Sequence, residues 1–434
     1  MTSRPASRFV ALSPSLFFAA FLTLAGCATQ SPGPVAPIST GDPRVDPVPG
    51  GVTGPGDVID IEDMDPLDTV KGEAYTPPHM AGRELIRAGV MLPFSDRRAS
   101  VRAQAEGMLA GIELALFDHA GEGFVILPKD TKGSQSATTE MAAELIEQGA
   151  DLVLGPLFGA NVTAARNAFV LEGTPVVSFS NDSGVAGGGA WLASVAPEAE
   201  IAEIIKYASL RGYDQFAFFG PQSSLGQKIE RTMQFEVART GGRMIASGFY
   251  PAGTESPTTE AEYFASSIAL AAESGGRVAV LVPERGNRLR RIAPMLAFYG
   301  VDTRVVRMLG IGSWNDPAIW REPSLNGAWF PAAPKAEVED FKTRYQRQYG
   351  RAPSSLAAVA YDATAMAIAL SADGDLTTQE LTNPDGFAGV NGLFRFRYDG
   401  TAERSLAIME IDQSHEDGAK EIRAVADSFD PSVG

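Results

Sequence analysis

From residue 83 onward, short apolar runs alternate with longer amphipathic stretches. Residues 85–94 (LIRAGVMLPF), 123–131, 151–157 and 174–182 read as buried strands, because they are apolar on both faces of an extended chain. Between them, residues 100–120, 136–150 and 159–173 read as helices with a buried stripe. The alternation then restarts. Helices are predicted over 201–213, 224–242, 260–276 and 287–300, and strands over 215–222, 243–251, 277–284 and 304–314. Strands apolar on both faces belong in a parallel sheet covered by helices. Two successive sets predict an α/β protein with two doubly wound parallel-sheet lobes and an interlobe cleft. No tandem repeat with a period of about 20–50 residues interrupts the pattern.

Upstream, the pattern is absent. Residues 28–82 hold ten prolines and nine acidic residues against two basic ones, Arg44 and Lys71. So few apolar groups cannot offset the entropy of ordering, so a disordered, extended tether is predicted. Its coil dimension is about 40 Å. The acidic run 57–65 lacks the central glycine and ligand spacing of a calcium loop. At the start, Arg4 and Arg8 precede an apolar stretch, 9–24, broken at Ser13, Pro14 and Ser15. Ala25 and Gly26 lead to Cys27, the only cysteine among 434 residues. The layout predicts a cleaved signal peptide over 1–26, and one cysteine excludes an internal disulfide.

The net charge of −17 argues against nucleic acid and against electrostatic docking to anionic lipid. Catalysis has little to work with. His79, His119 and His415 are the only histidines, and no H-E-x-x-H, G-x-S-x-G or P-loop string occurs. No enzyme activity, cofactor or metal site is expected. Residues 284–291 carry four arginines, read either as a solvated face or as a local basic patch.

The string Leu24-Ala25-Gly26-Cys27 resembles the lipobox of bacterial lipoproteins. That resemblance implies a lipid on Cys27 and a lipid-anchored tether over 27–82; an ordinary signal peptide containing a cysteine is the alternative. Ala28, standing where aspartate would signal retention, implies the outer membrane, facing the periplasm. The segments 89–116, 151–182, 242–251, 338–370 and 386–411 resemble, in order, the type I periplasmic-binding-protein fold. The resemblance spans about 85–412. It implies lobe 1 over about 83–195 plus 332–388, lobe 2 over about 196–331 plus 389–412, and a polar tail over 413–434. Residues 192–242 are most similar to the penicillin-binding-protein activator lipoproteins, in their C-terminal domain. That branch implies a non-enzymatic regulator of peptidoglycan synthesis that binds a penicillin-binding protein. Its best-known members carry a helical repeat domain where this chain carries its tether. The alternative is a solute-binding or sensing lipoprotein that holds a small ligand, such as an amino acid or amide, for an ABC transporter.

The fold implies a cleft lined by loops at the C-terminal ends of strands. The candidates are Phe158, Asn161, Ser178, Ser180, Asn181, Asp182, Ser224, Leu225, Ser313, Trp314, Tyr361 and Asp362. Amino-acid binders of this superfamily hold a ligand carboxylate with hydroxyls in the first two loops. Here the first loop lacks a hydroxyl, and Asp182 in the second opposes a carboxylate. Two readings stay open at each position. Ser178, Ser180 and Asn181 either hold a ligand or satisfy backbone groups at a strand end, and Trp314 either lines the cleft or packs.

Overall fold

Three crossings between two sheets organise the chain. The computed structural model describes residues 84–429 apart from 121, 122, 274, 373–375 and 427, together with Met80 and Gly82. The signal peptide, Cys27 and the tether apart from Met80 and Gly82 lie outside the described residues.

The first pass builds lobe 1: β1 (Ile86–Leu92), α1 (Ala99–His119), β2 (Phe124–Asp130), α2 (Gln135–Glu147), β3 (Leu152–Leu154), α3 (Gly159–Phe169), β4 (Val176–Ser178) and β5 (Ala190–Leu192). The five strands are parallel, in the order β2-β1-β3-β4-β5. The chain crosses to lobe 2 for α4 (Pro197–Leu210), β6 (Gln215–Gln222), α5 (Ser224–Arg239), β7 (Arg243–Pro251), α6 (Thr258–Glu273), β8 (Val278–Leu281), α7 (Gly286–Phe298), β9 (Arg307–Leu309), α8 (Pro317–Trp320) and β10 (Trp329–Ala332). It returns to lobe 1 for α9 (Lys335–Tyr349), α10 (Ser355–Ser371), α11 (Thr378–Leu381) and the antiparallel β11 (Phe387–Gly389), β12 (Gly392–Phe396) and β13 (Ala402–Arg404). A last crossing gives β14 (Ala407–Ile411) and β15 (Ala419–Arg423), antiparallel additions to the lobe 2 sheet, ordered β15-β14-β10-β9-β8-β6-β7. No helix among the described residues is long and apolar enough to cross a membrane.

Strand β1 shows why the sheet is covered on both faces. Ala88, Val90 and Leu92 join Met108 and Ile112 of α1 and Ala360 and Ala363 of α10 in one core. Met91, pointing the other way, packs with Ala142 and Leu145 of α2. The same alternation of direction along an all-apolar strand fills both layers. On the first face α1 and α10 approach closely at Gly111. A Cβ there would stand 2.3 Å from the Ala357 carbonyl oxygen. The Tyr345 hydroxyl donates to the Gly107 carbonyl of α1 at 3.1 Å, fastening α9 to the same pair.

Two boundaries differ from the sequence expectation. Residues 389–404, expected in lobe 2, pack with lobe 1. Phe394, Phe396 and Ala402 share the core of Val90 and Leu154, because the inward side chains of β12 and β13 face α10 and β5. The expected polar tail contains a strand. Residues 419–423 show only Ala419 and Ile422 as inward apolar groups, too few to announce β15. The strand expected over 304–314 is also shorter. It ends at Leu309, and Gly312–Trp314 forms a 3-10 turn.

Gly111→Val should destabilise the protein by about 1–3 kcal/mol through overpacking against Ala357. Denaturant unfolding would register this as a lower midpoint. An unchanged midpoint would mean that α1 and α10 separate freely.

Candidate functional site

The lobes are joined by three short crossovers, residues 193–196, 333–334 and 405–406. Beside them a cavity of about 630 Å³ opens between the lobes. Leu157, Phe158, Phe179 and Asn181 form its lobe 1 wall, just past the C-terminal ends of β3 and β4. Glu200, Gly312, Ser313 and Asn315 form the lobe 2 wall. Ser355, Leu356 and Val359 of α10 close one side, with Asn391 and Leu406 beside them. Cavities that hold small molecules commonly measure about 300–1,000 Å³ and are mostly apolar with a few placed polar groups. The location also matches the rule for doubly wound sheets, where ligands sit outside the carboxyl ends of strands.

Glu200 is the one charged side chain among the described lining residues. It stands in the first turn of α4, three residues past Pro197, so the helix start places it. The Gly312 N–H donates to Oε2 at 3.1 Å. Glycine at 312 leaves room for the carboxylate in this position, since a Cβ there would meet Oε1 at 2.4 Å. No cation faces the carboxylate. Burial pushes its pKa up from 4.5 to about 7, and the Gly312 N–H opposes this only in part. Glu198, two residues earlier, is the contrast. It is buried too, yet Lys228 at 2.7 Å and the Ser183 hydroxyl at 2.7 Å hold it below the ordinary value.

The serine hydroxyls of the lobe 1 loops are already engaged. Ser178 Oγ donates to the Pro156 carbonyl at 3.0 Å and accepts the Ser180 N–H at 3.0 Å. Ser180 Oγ accepts the Asp182 N–H at 3.2 Å. Ser194 Oγ donates to the Phe179 carbonyl at 2.7 Å. Asp182 is exposed and leans on the start of α3, where a Cβ on Gly159 would lie 3.2 Å from its Oδ2. A carboxylate at a helix N-terminus neutralises the partial positive charge that an anionic ligand would seek.

Of the residues expected in the cleft, Phe158, Asn181 and Ser313 line it. The others do not. Ser178 and Ser180 are buried beneath the lining and serve the backbone. Asn161 is buried in the first turn of α3, its amide nitrogen without a partner. Ser224 and Leu225 are exposed at the start of α5, outside the lining. Trp314 is wholly buried in the lobe 2 core, where Nε1 donates to the Glu284 carbonyl at 3.0 Å. Gly310 makes room for it, since a Cβ there would lie 2.0 Å from the indole.

Tyr361 and Asp362 follow the cleft-lining Val359 on α10 but are outside the lining. The Tyr361 hydroxyl donates to Asp118 at 2.9 Å and lies 2.8 Å from His119 Nε2. It lines a larger groove, about 1310 Å³, near the N-terminal starts of β1 and β2. Asp362 is buried and accepts the Val390 and Asn391 N–H groups at 2.7 and 3.0 Å. Sequence reading missed Glu200, Ser355, Leu356 and Asn391. The pair Glu198 and Glu200 behind Pro197 was visible as a helix start, but nothing in the string marks which of the two lacks a cation.

The profile of the family described as periplasmic binding protein matches residues 86–419. The chain belongs to this family. No curated protein matches it. Among solved structures, it is similar to a protein described as a branched-chain amino acid ABC transporter from Rhodospirillum rubrum, with 18% identity and a TM-score of 0.67 over 78% of this chain and 100% of that one. A branched-chain amino acid ABC transporter periplasmic ligand-binding protein from Burkholderia xenovorans aligns at 15% identity and a TM-score of 0.63, over 79% and 95% of the two chains. A branched-chain amino acid transporter substrate-binding protein from Streptococcus pneumoniae, in complex with isoleucine, aligns at 18% and 0.51, over 79% and 100%. The likeness is one of fold. As a periplasmic binding protein the chain has the two-lobed α/β architecture read from its sequence. The family and its neighbours are binding proteins, which places the chain in the periplasm or envelope. They agree with the solute-binding alternative better than with a synthase regulator.

The raised pKa of Glu200 makes stability depend on pH. Between pH 4.5 and about 7 the folded protein keeps this proton while the unfolded chain has lost it. Stability from this group is therefore present at low pH and lost as pH rises. Glu200→Gln keeps an acceptor for Gly312 and has no proton to lose. The melting temperatures of variant and parent should come closest at about pH 4 and be furthest apart by about 8, with the variant the more stable. Parallel profiles would show that Glu200 is solvated like a surface carboxylate.

Proposed function

We propose that this chain is a non-enzymatic binding protein of the bacterial envelope that holds a small molecule between its lobes and serves an ABC transporter or a sensing pathway. One observation carries the reading. The interlobe cavity has apolar side chains, a few uncharged polar ones and a single half-buried carboxylate with no cation to pair it. Such a group destabilises the empty protein, and clefts are where such groups serve ligands. The lining holds no histidine, lysine or cysteine to act as base or nucleophile. Cys27, with its lipobox-like surroundings, supplies an anchor at the outer membrane, and residues 28–82 supply the reach from it.

A second reading keeps the module as a regulator that contacts a peptidoglycan synthase. The similarity of 192–242 to the penicillin-binding-protein activators favours it, as does a tether long enough to cross part of the periplasm and confine a partner near it. It ranks second because a regulator has no use for a carboxylate facing an empty cleft.

A thermal-shift screen of the purified chain separates the two. Amino acids, amides, amines, aromatic acids and wall fragments form the panel. A ligand at 100 times its Kd adds about 2.7 kcal/mol, which raises the melting temperature by several degrees. At least one compound should do so. A flat screen, together with recovery of a wall synthase and no permease from envelope extract, would put the regulator first.

A further inference from the structure

We propose that the cleft selects an organic amine that carries no carboxylate, with its ammonium group on Glu200. The inference rests on the small-molecule reading above and names the class of molecule.

The lobe 2 wall offers the amine a site. Glu200 Oε2 takes the Gly312 N–H, while Oε1 has no partner among the described residues. An ammonium donates up to three hydrogen bonds and brings the charge that the wall lacks. Beyond the polar Ser313 and Asn315 of its own wall, the cavity also has an apolar part. Phe158, Phe179, Leu356, Val359 and Leu406 offer hydrocarbon to the body of a ligand.

A carboxylate finds nothing comparable. No lysine, arginine or histidine is in the lining. Three helices begin near the cleft, and each N-terminus is already served. Asp182 stands against Gly159 at the start of α3. Glu198 and Glu200 occupy the first turn of α4. Ser354 caps α10, its hydroxyl oxygen accepting the Ala357 N–H at 3.2 Å. The hydroxyls of Ser178, Ser180 and Ser194 are bonded to the backbone. An α-amino acid would therefore satisfy Glu200 at one end and leave its carboxylate with only uncharged groups such as Asn181, Ser313 and Ser355, and with Asp182 next to Asn181 in the chain. An uncompensated charge on a partly desolvated ligand outweighs one favourable ion pair.

Matched pairs test this directly. The full chain is titrated with 3-methylbutylamine and leucine, and with 2-phenylethylamine and phenylalanine, by calorimetry at neutral pH. Within a pair, only the carboxylate differs. At least one amine should bind about tenfold or more tighter than its amino acid, and Glu200→Gln should weaken that amine by about tenfold. Equal or tighter binding of the amino acid overturns the proposal, as does unchanged amine affinity in the variant. Asp182→Ser, at an exposed position, is the second variant should Glu200→Gln fail to fold. It should improve leucine or phenylalanine by about threefold and leave the amine no tighter; no gain for the amino acid overturns the proposal. Binding of amides or aromatic acids without any amine also overturns it, while the small-molecule reading stands. If no compound of any class binds, both readings fall.

Discussion

The cleft exists because two lobes are held at a joint, and the group at that joint is a buried guanidinium. Arg404 ends β13 and is 2% exposed. Its Nη2 donates to the Ala193 carbonyl, so one side chain ties the first crossover to the last. The guanidinium lies over Phe394, 4.7 Å from the ring centroid, while Nε and Nη1 have no partner. Burial draws its pKa down to about 10, and the field of Asp362 resists that. Asp362 is itself pushed upward by burial and relieved by Arg404 and by the N–H groups of Val390 and Asn391. A buried pair like this adds little net stability over an apolar substitute, but removing one member strands the other. Its value is positional. Asn391, bonded to Asp362 through backbone and side chain, is part of the cleft wall. The joint and the wall therefore share one network.

A second consequence follows from the joint. The first crossover delivers Pro197 and the start of α4 directly beside the cleft, carrying two glutamates two residues apart, on nearly opposite faces of the helix. Glu198 turns to Lys228 and to Ser183 of the other lobe, so it is spent on structure. Glu200 turns to a glycine N–H and to the cavity. Two carboxylates with the same neighbours in sequence thus acquire opposite pKa shifts. The difference comes from burial, which dominates at Glu200, and from Lys228 on α5 and the Ser183 hydroxyl, which reach only Glu198.

The architecture was legible because its signal is long-range and redundant. A strand such as β1, apolar on both faces past Arg87, cannot be solvated on either face, and a glycine- and alanine-rich helix such as α1 asks for a close partner. The weaker signals failed where apolar content was thin or shared. β15 offers only two inward apolar residues, and β12 reads equally well as an edge of either lobe until its phenylalanines meet α10. The site was far less legible. Ser178 and Ser180 look identical in sequence whether they hold a ligand or a backbone amide. Trp314 looks like a cleft aromatic, yet Gly310 lets the indole fold back into the core. Tyr361 is on the right helix, but a 3.6-residue period turns it toward Asp118 while Leu356 and Val359 face the cleft.

These misplacements share a cause. A fold is specified by many residues that each contribute a little, whereas a binding site is specified by which few polar groups the fold leaves unsatisfied. Serines near a cleft are not a site if every hydroxyl has a backbone partner. A single glutamate is one if its charge has been desolvated and not paired. The likeness in fold to amino-acid-binding proteins therefore constrains the shape of the ligand chamber and says nothing of its charge balance. In this chain that balance is negative, with Glu200 the one charged side chain in the described lining and Asp182 exposed just past the lining residue Asn181. A ligand that binds here must bring the missing positive charge or do without charge altogether, and only the first kind would relieve the cost that Glu200 imposes on the empty protein.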